Sequence, residues 1–457
     1  MNGEIFGPIF VPDEFRRAVS GRSWLRAMLD AEAALAAAEA RVGLIPHEAA
    51  ATIASCCDAA HFDPGELGRE GRACGNPVPP LVKALTAAVS EVSEDAARHV
   101  HKGATSQDIV DTAAMLVARH TLDLILIELE GISRACARLA DEHRETIMAG
   151  RTLLQQALPT TFGLKVAGWL VAVLEGRRRL LEVRDRRLAA QLGGAAGTLA
   201  SLGESGVSVL GEFARELGLV EPVVPWHADR TRVAEIGGVL SLVGGILGKV
   251  SLEVILMSQT EVGEVTEPAG EGRGGSSTLP HKRNPILSVT AAANVRRVRA
   301  LAQALYGSMV GEHERAAGAW HAEWEVLSDA LALTGGAAAA VREVTQGMEV
   351  HPERMRHNLE ETGGMLMAEN VVTVVADRLG RLQAHEVVES AARRAADGGK
   401  PFREELLAEP VLREHLSAWE IDAALDPAGY LGSAGPFIDR ALERYCEDSE
   451  ADLRGER

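Results

Sequence analysis

The sequence predicts an all-α protein whose middle is a bundle of very long helices. Three observations carry this expectation. Apolar residues recur at alternating spacings of three and four along several long segments. Aromatic residues make up only 4% of the chain, which suits helices packed through Ala and Leu. No series of alternating strands with hairpin turns, and no βαβ rhythm, interrupts the pattern.

Taken in order, the N-terminal part (1–105) reads as a helical domain broken by the turn-rich GRACGNPVPP at 71–80. The central part (106–350) opens with an apolar seam of Ala118, Leu122, Ile125, Leu129, Ile132, Cys136 and Leu139, with Glu128, Arg134, Arg138 and Asp141 off it. Similar patterns run through 161–192, 229–260 and 286–310. Helices of about 30 residues are about 45 Å long, more than one small domain needs, and point to a bundle shared between subunits. A bundle core within one chain is the competing reading of the seam. The longest uncharged apolar stretch, 236–248, is too short to span a bilayer. It reads as a buried helix in which Gly237, Gly238, Gly244 and Gly245 let neighbours approach closely. Past residue 350 the apolar runs shorten and charge rises, with breaks at 398–401 and 426–435, so 351–457 reads as a C-terminal helical domain.

Subtracting 65 Asp and Glu from 47 Lys and Arg leaves a net charge of −18. That balance excludes a nucleic-acid backbone or an anionic membrane as the main partner. It still permits an anionic small substrate, because a few cations in a cleft outweigh the global sign. Five cysteines without metal-site spacing point to neither a disulfide framework nor a structural zinc. No basic-plus-apolar leader begins the chain. The expectation is a soluble cytoplasmic protein.

Chemistry concentrates in three segments. The most specific runs Gly274-Gly275-Ser276-Ser277-Thr278-Leu279-Pro280-His281-Lys282-Arg283-Asn284-Pro285. The formal Gly270-x-Gly272-x-x-Gly275 match to a dinucleotide fingerprint fails, because no strand precedes it. What remains is a glycine-rich loop (262–285) carrying paired hydroxyls and Lys282, followed by a helix whose N-terminus offers N–H groups to an anion. A solvated linker is the competing reading.

This segment resembles the GSSxMPxKxNP signature of the fumarase/aspartase superfamily, with Leu279 in place of Met. His101-x-Gly103-Ala104-Thr105-Ser106-Gln107-Asp108 is similar to that superfamily's first substrate-binding region. Gly150-Arg151-Thr152-Leu153-Leu154-Gln155-Gln156 is similar to its second. The likeness is strongest to the 3-carboxy-cis,cis-muconate cycloisomerase branch and extends to Gly75-Asn76-Pro77, Gly194-Ala195-Ala196-Gly197, Pro225-Trp226-His227 and the run from His313 to Trp324. The resemblance implies three helical domains, a homotetramer with a twenty-helix core, and active sites shared between subunits. It implies chemistry without metal or organic cofactor. Ser276 would remove a proton next to a carboxylate, and the resulting aci-carboxylate would expel a leaving group from the adjacent carbon. Lys282 would support that base and hold the intermediate. His101, Thr105, Ser106, Gln155, Ser277, Asn284 and Arg315 would bind a small di- or tricarboxylate substrate. The loop would be open and mobile without ligand and close over substrate.

Departures narrow the leaving group. Many superfamily members carry His directly after the Thr of the second segment, and muconate cycloisomerases tend to carry Trp there with His after the conserved Gln. Here those positions hold Leu153 and Gln156. An amine, guanidine or hydroxide needs a proton on departure, whereas nitrite or carboxylate leaves as a stable anion. The expectation is therefore nitrosuccinate cleavage to fumarate and nitrite in specialised metabolism, ahead of muconate cycloisomerisation in protocatechuate breakdown. A non-catalytic protein derived from the superfamily is the cross-class alternative. His101, His227 or His313 could supply a replacement acid. His227 reads equally as a satisfied helix-start residue, Trp320, His321 and Trp324 as wall or packing residues, and Cys74 as a small filler.

Overall fold

The structure, a computed structural model, describes residues 4–268, 279 and 282–454. Helix dominates it, and the described chain gathers into two compact units. The first comprises Met1–Glu130, Glu175–Lys249 and Thr290–Val341; the second comprises Gly131–Leu174, Val250–Val289 and Arg342–Arg457.

Helix α1 (Gly21–Arg41) begins where the Ser20 hydroxyl accepts the Ser23 N–H. Its buried face repeats at three- and four-residue steps: Leu25, Met28, Leu29, Glu32, Leu35, Ala36 and Glu39. Two carboxyls thus occupy positions where a core wants hydrocarbon. Helix α2 (Ser106–Glu142) runs for 37 residues. Every residue of the predicted seam, from Ala118 to Leu139, is buried on it. The other long segments become α3 (Phe162–Arg186), α4 (Thr231–Met257), α5 (Ile286–Gly307) and α6 (Ala319–Gly347).

Among the described residues one helix, α4, is long and apolar enough to cross a membrane, because it extends well beyond 236–248 at both ends. Its glycines let it lie close against α5. A methyl on Gly237 would come within 2.9 Å of a Leu305 side-chain carbon, and one on Gly248 within 3.0 Å of Val295. These are the close approaches expected of a core helix.

The second unit holds strands that the helical periodicity did not predict. Strand β1 (Ile147–Thr152) pairs antiparallel with β2 (Gln155–Thr161), Thr152 opposite Gln155, with an irregularity between Ala149 and Arg151. The connecting turn is Leu153-Leu154, with φ of 50° and 65°. A two-residue hairpin of this kind needs both residues left-handed, normally Asn-Gly or Gly-Gly. Two leucines there leave no turn signal in the sequence. A second, shorter pair joins β3 (Val265–Thr266) to β4 (Glu349–Val350). Further along, the helices Ala368–Leu379, Arg381–Ala396, Phe402–Ala408 and Ala418–Leu425 close around Val371, Val375, Val388, Phe402, Leu406 and Ile421.

Candidate active site

In the first unit, the start of α2 is the best-organised polar region. Asp108 is fully buried and accepts four hydrogen bonds. Its Oδ1 receives Gly193 N–H at 2.9 Å and His227 Nε2 at 2.6 Å; Oδ2 receives Thr105 N–H at 2.8 Å and Gly194 N–H at 3.0 Å. One carboxylate therefore pins the 101–108 segment, the 193–194 turn and His227 together. His227 is a buried core residue held by this contact through Nε2.

One turn along α2, Asp111 accepts both terminal nitrogens of Arg230 at 2.8 and 3.0 Å, the Trp320 indole N–H at 2.9 Å and the Gln107 amide at 3.1 Å. Arg230 also reaches Glu323 through Nε at 3.0 Å, and its guanidinium lies 5.0 Å from the Trp226 ring centroid. Arg230, Asp111 and Glu323 are all buried. Burial pushes the Glu323 carboxyl up from its ordinary range, and Arg230 pulls against that shift. This network ends at the predicted site. Gln107 Oε1 accepts Arg315 Nε at 3.3 Å, and Arg315 donates to the Thr105 hydroxyl at 2.8 Å. Both partners of Arg315 are neutral, and no carboxylate among the described residues neutralises it, so a half-buried cation is left for an anion. The Ser106 hydroxyl beside it is half-buried and has no hydrogen-bond partner among the described residues. His101 sits at φ 58° with Nδ1 2.7 Å from Glu32 Oε1. His313 is exposed at φ 51°, and His321 is exposed against the Trp320 and Trp324 rings.

In the second unit, the hairpin carries the second segment. Gln155 is exposed at the start of β2, and Leu153 is 97% exposed at the tip. The Gln156 amide nitrogen donates to the Asn358 carbonyl at 2.8 Å, while its side-chain oxygen has no partner among the described residues. Arg151 makes a two-pronged pair with fully buried Glu264 at 2.9 and 2.7 Å, and Asn358 donates to the same carboxylate at 2.9 Å. Lys282 is exposed, Asn284 is half-buried, and Arg283 pairs with Glu349. Ser276 and Ser277, with the loop from 269 to 278, lie outside the described residues. The N-terminus of α5 differs from expectation. Its Leu287 and Ser288 N–H groups are capped by Glu267 at 3.0 and 2.7 Å and are not free for an anion.

The structure thus brings Thr105, Gln107 and Arg315 into contact, with His101 and Ser106 on the same segment; Gln155, Lys282 and Asn284 belong to the other unit. Sequence reasoning missed Glu32, Asp108, Asp111, Arg230, Glu323 and Glu264 as organising residues. The available signal was charge on otherwise apolar helix faces, as with Glu32 and Glu39.

The chain matches the family described as "Lyase" over residues 11–299 and "Adenylosuccinate lyase C-terminus" over residues 364–441. It is 44% identical over 444 residues to 3-carboxy-cis,cis-muconate cycloisomerase of Bradyrhizobium diazoefficiens, covering 97% of this chain and 98% of the relative. It is 45% identical over 446 residues to nitrosuccinate lyase of Streptomyces davaonensis, covering 96% and 94%. The solved 3-carboxy-cis,cis-muconate lactonizing enzyme from Pseudomonas putida superposes with a TM-score of 0.93 at 42% identity, covering 98% of this chain and all of that one. With the long helices described above, the chain belongs to the lyase family of the fumarase/aspartase superfamily and is an enzyme of that class.

Proposed function

We propose that this enzyme catalyses the 3-carboxy-cis,cis-muconate cycloisomerase reaction, in which a carboxylate is the group added or expelled. The observation that carries this is Arg315, whose charge has no carboxylate partner among the described residues and which rests on the Thr105 hydroxyl beside the unpartnered Ser106. Such a set suits a substrate rich in carboxylates. Several relatives at 41–45% identity carry this reaction in their names, which moves it ahead of the nitrite-releasing expectation.

In the cyclising direction a substrate carboxylate oxygen adds to the neighbouring double bond, and Ser276 returns a proton to carbon. In the reverse direction Ser276 removes that proton, and the carboxylate leaves from the aci-carboxylate. Lys282 and Asn284 stabilise the charge that develops. Thr105, Ser106, His101, Gln155, Ser277 and Arg315 hold the remaining carboxylates. The chemistry uses no metal or cofactor in this reading.

Nitrosuccinate cleavage is the second reading, favoured by one observation. Leu153 and Gln156 stand where muconate cycloisomerases tend to carry Trp and His, so the second segment lacks both side chains of that pattern. Assay of the purified protein with both compounds decides between them. Lactone formation without nitrite supports the first reading; equimolar nitrite and fumarate from nitrosuccinate replaces it with the second.

The working form in this reading is a cytoplasmic homotetramer, with each site assembled from several copies and three domains per chain (1–105, 106–350, 351–457). Exposed apolar residues on the long helices support assembly: Leu242 and Leu252 on α4, and Ile286, Val289 and Tyr306 on α5.

A further inference from the structure

Behind the first substrate-binding segment lies a set of buried ionisable groups that the reaction as described does not use. Glu32 and Glu39 stand seven residues apart on the buried face of α1, both without solvent exposure of consequence. Glu32 Oε1 meets His101 Nδ1 at 2.7 Å, while its Oε2 has no partner. Both oxygens of Glu39 lack partners as well. Lys102 donates to the Leu44 carbonyl at 3.1 Å and supplies the nearby positive charge.

We propose that Glu32 is a positioning residue for the active site: it grips His101 by Nδ1 and so holds the ring with Nε2 presented to a substrate carboxylate, to which the doubly protonated imidazolium donates. This rests on the carboxylate-binding reading given above.

Three features carry the proposal. A carboxylate only accepts, so the 2.7 Å contact puts a proton on Nδ1 and sets the ring's orientation. His101 holds a left-handed backbone at φ 58°, a strained arrangement that persists only where surrounding structure enforces it. The enforcing contacts are on both sides: Glu32 on the ring, and the Asp108 carboxylate on the Thr105 N–H four residues later. Finally, Nε2 has no hydrogen-bond partner among the described residues, and the side chain is 17% exposed, so one nitrogen is bound inside and the other is available.

Charge agrees with this geometry. Burial alone lowers the proton affinity of His101; the Glu32 hydrogen bond and the carboxylates of Glu32 and Asp108 outweigh it, and the net direction is upward. The other ionisable groups of the cluster are Glu39, Lys102 and Cys57. Burial is the main cause that lifts Glu39 to about 8 and Cys57 to about 12, so both are mostly protonated at neutral pH. Glu32 is then the buried carboxylate that balances an imidazolium.

The test uses the full-length enzyme with Glu32→Gln, Glu32→Asp and His101→Asn, each checked for native assembly and helix content. The first readout is the titration of His101 in protein labelled with ε1-13C-histidine, the signal being assigned by its loss in His101→Asn. It is expected above the ordinary histidine range in the native enzyme, at least one pH unit lower in Glu32→Gln, and intermediate or restored in Glu32→Asp. The second readout is kcat/KM against pH with 3-carboxy-cis,cis-muconate and with nitrosuccinate. The alkaline limb is expected to move down with the titration, KM rising more than kcat falls. An unchanged His101 titration in Glu32→Gln overturns the pair. A shifted titration with an unmoved alkaline limb overturns its role in the site. No turnover of either compound by the native enzyme sinks the substrate reading instead, and the titration still decides the pair. If Glu32→Gln does not fold, Glu32→Asp carries both measurements.

Discussion

Arg315 donates to the Thr105 hydroxyl at 2.8 Å although 210 residues separate them in the chain. The contact joins the first substrate-binding segment to the loop before α6 and leaves the guanidinium without a counter-carboxylate among the described residues. Arg315→Ala is expected to raise KM by about 30- to 100-fold, the loss of roughly 2–3 kcal/mol in charge-assisted hydrogen bonds. Arg315→Lys restores little, because an ammonium cannot reproduce the planar fork. Steady-state kinetics of both variants check this, and a KM within threefold of the native value for Arg315→Ala removes the residue from substrate binding.

The buried Arg230 is balanced by Asp111 and Glu323 together. Asp111→Ala takes away one of those counter-charges and also strands the Trp320 indole N–H, while the Gln107 amide keeps its bond to the His227 carbonyl. About 3–5 kcal/mol of stability is expected to be lost, as for other broken buried ion pairs. Urea unfolding followed by circular dichroism measures it. Asp111→Asn keeps the shape and is expected to cost less.

Glu39 makes stability depend on pH. Burial is the main cause that lifts its carboxyl from 4.5 to about 8; Lys102 opposes the shift and Glu32 adds to it. The unfolded chain ionises this group at the lower value, so between about pH 4.5 and 8 the unfolded state binds fewer protons and the folded state loses stability as pH rises. Glu39→Gln removes that loss. The variant is expected to match the native protein near pH 4 and to exceed it by about 1–3 kcal/mol at pH 9. Equal stability at both pH values contradicts the raised carboxyl.

Ser276→Ala is expected to leave assembly and helix content unchanged while lowering turnover at least about a hundredfold, the low end for a positioned proton-transfer group. Lys282→Ala is expected to impair both turnover and affinity, since in the proposed mechanism its charge serves substrate and aci-carboxylate alike. Near-native turnover by purified Ser276→Ala moves the search for the base to Lys282 and His313.

The proposed sharing of sites between copies is tested by a mixing experiment. Inactive Ser276→Ala and inactive Thr105→Ala are refolded together and assayed. Partial recovery of activity is expected, from sites that draw one intact segment from each variant. A fully active isolated monomer rules the shared site out.

The sequence by itself determined the helical class, the long central helices and the family resemblance. These are local properties: a seam such as Ala118–Leu122–Ile125–Leu129 has one face to bury, and a run such as Gly275-Ser276-Ser277 keeps its chemistry in consecutive residues. The hairpin escaped because Leu153-Leu154 adopts a left-handed turn without Gly or Asn, so its shape is imposed by the strands on either side. The supporting polar network was decided only by tertiary structure. Whether Asp108, Asp111 or Glu32 is a solvated surface charge or a buried organiser depends on His227, Arg230 and His101, which lie 119, 119 and 69 residues away. A carboxylate tolerates burial only when distant donors converge on it, and that convergence is a property of the packed chain.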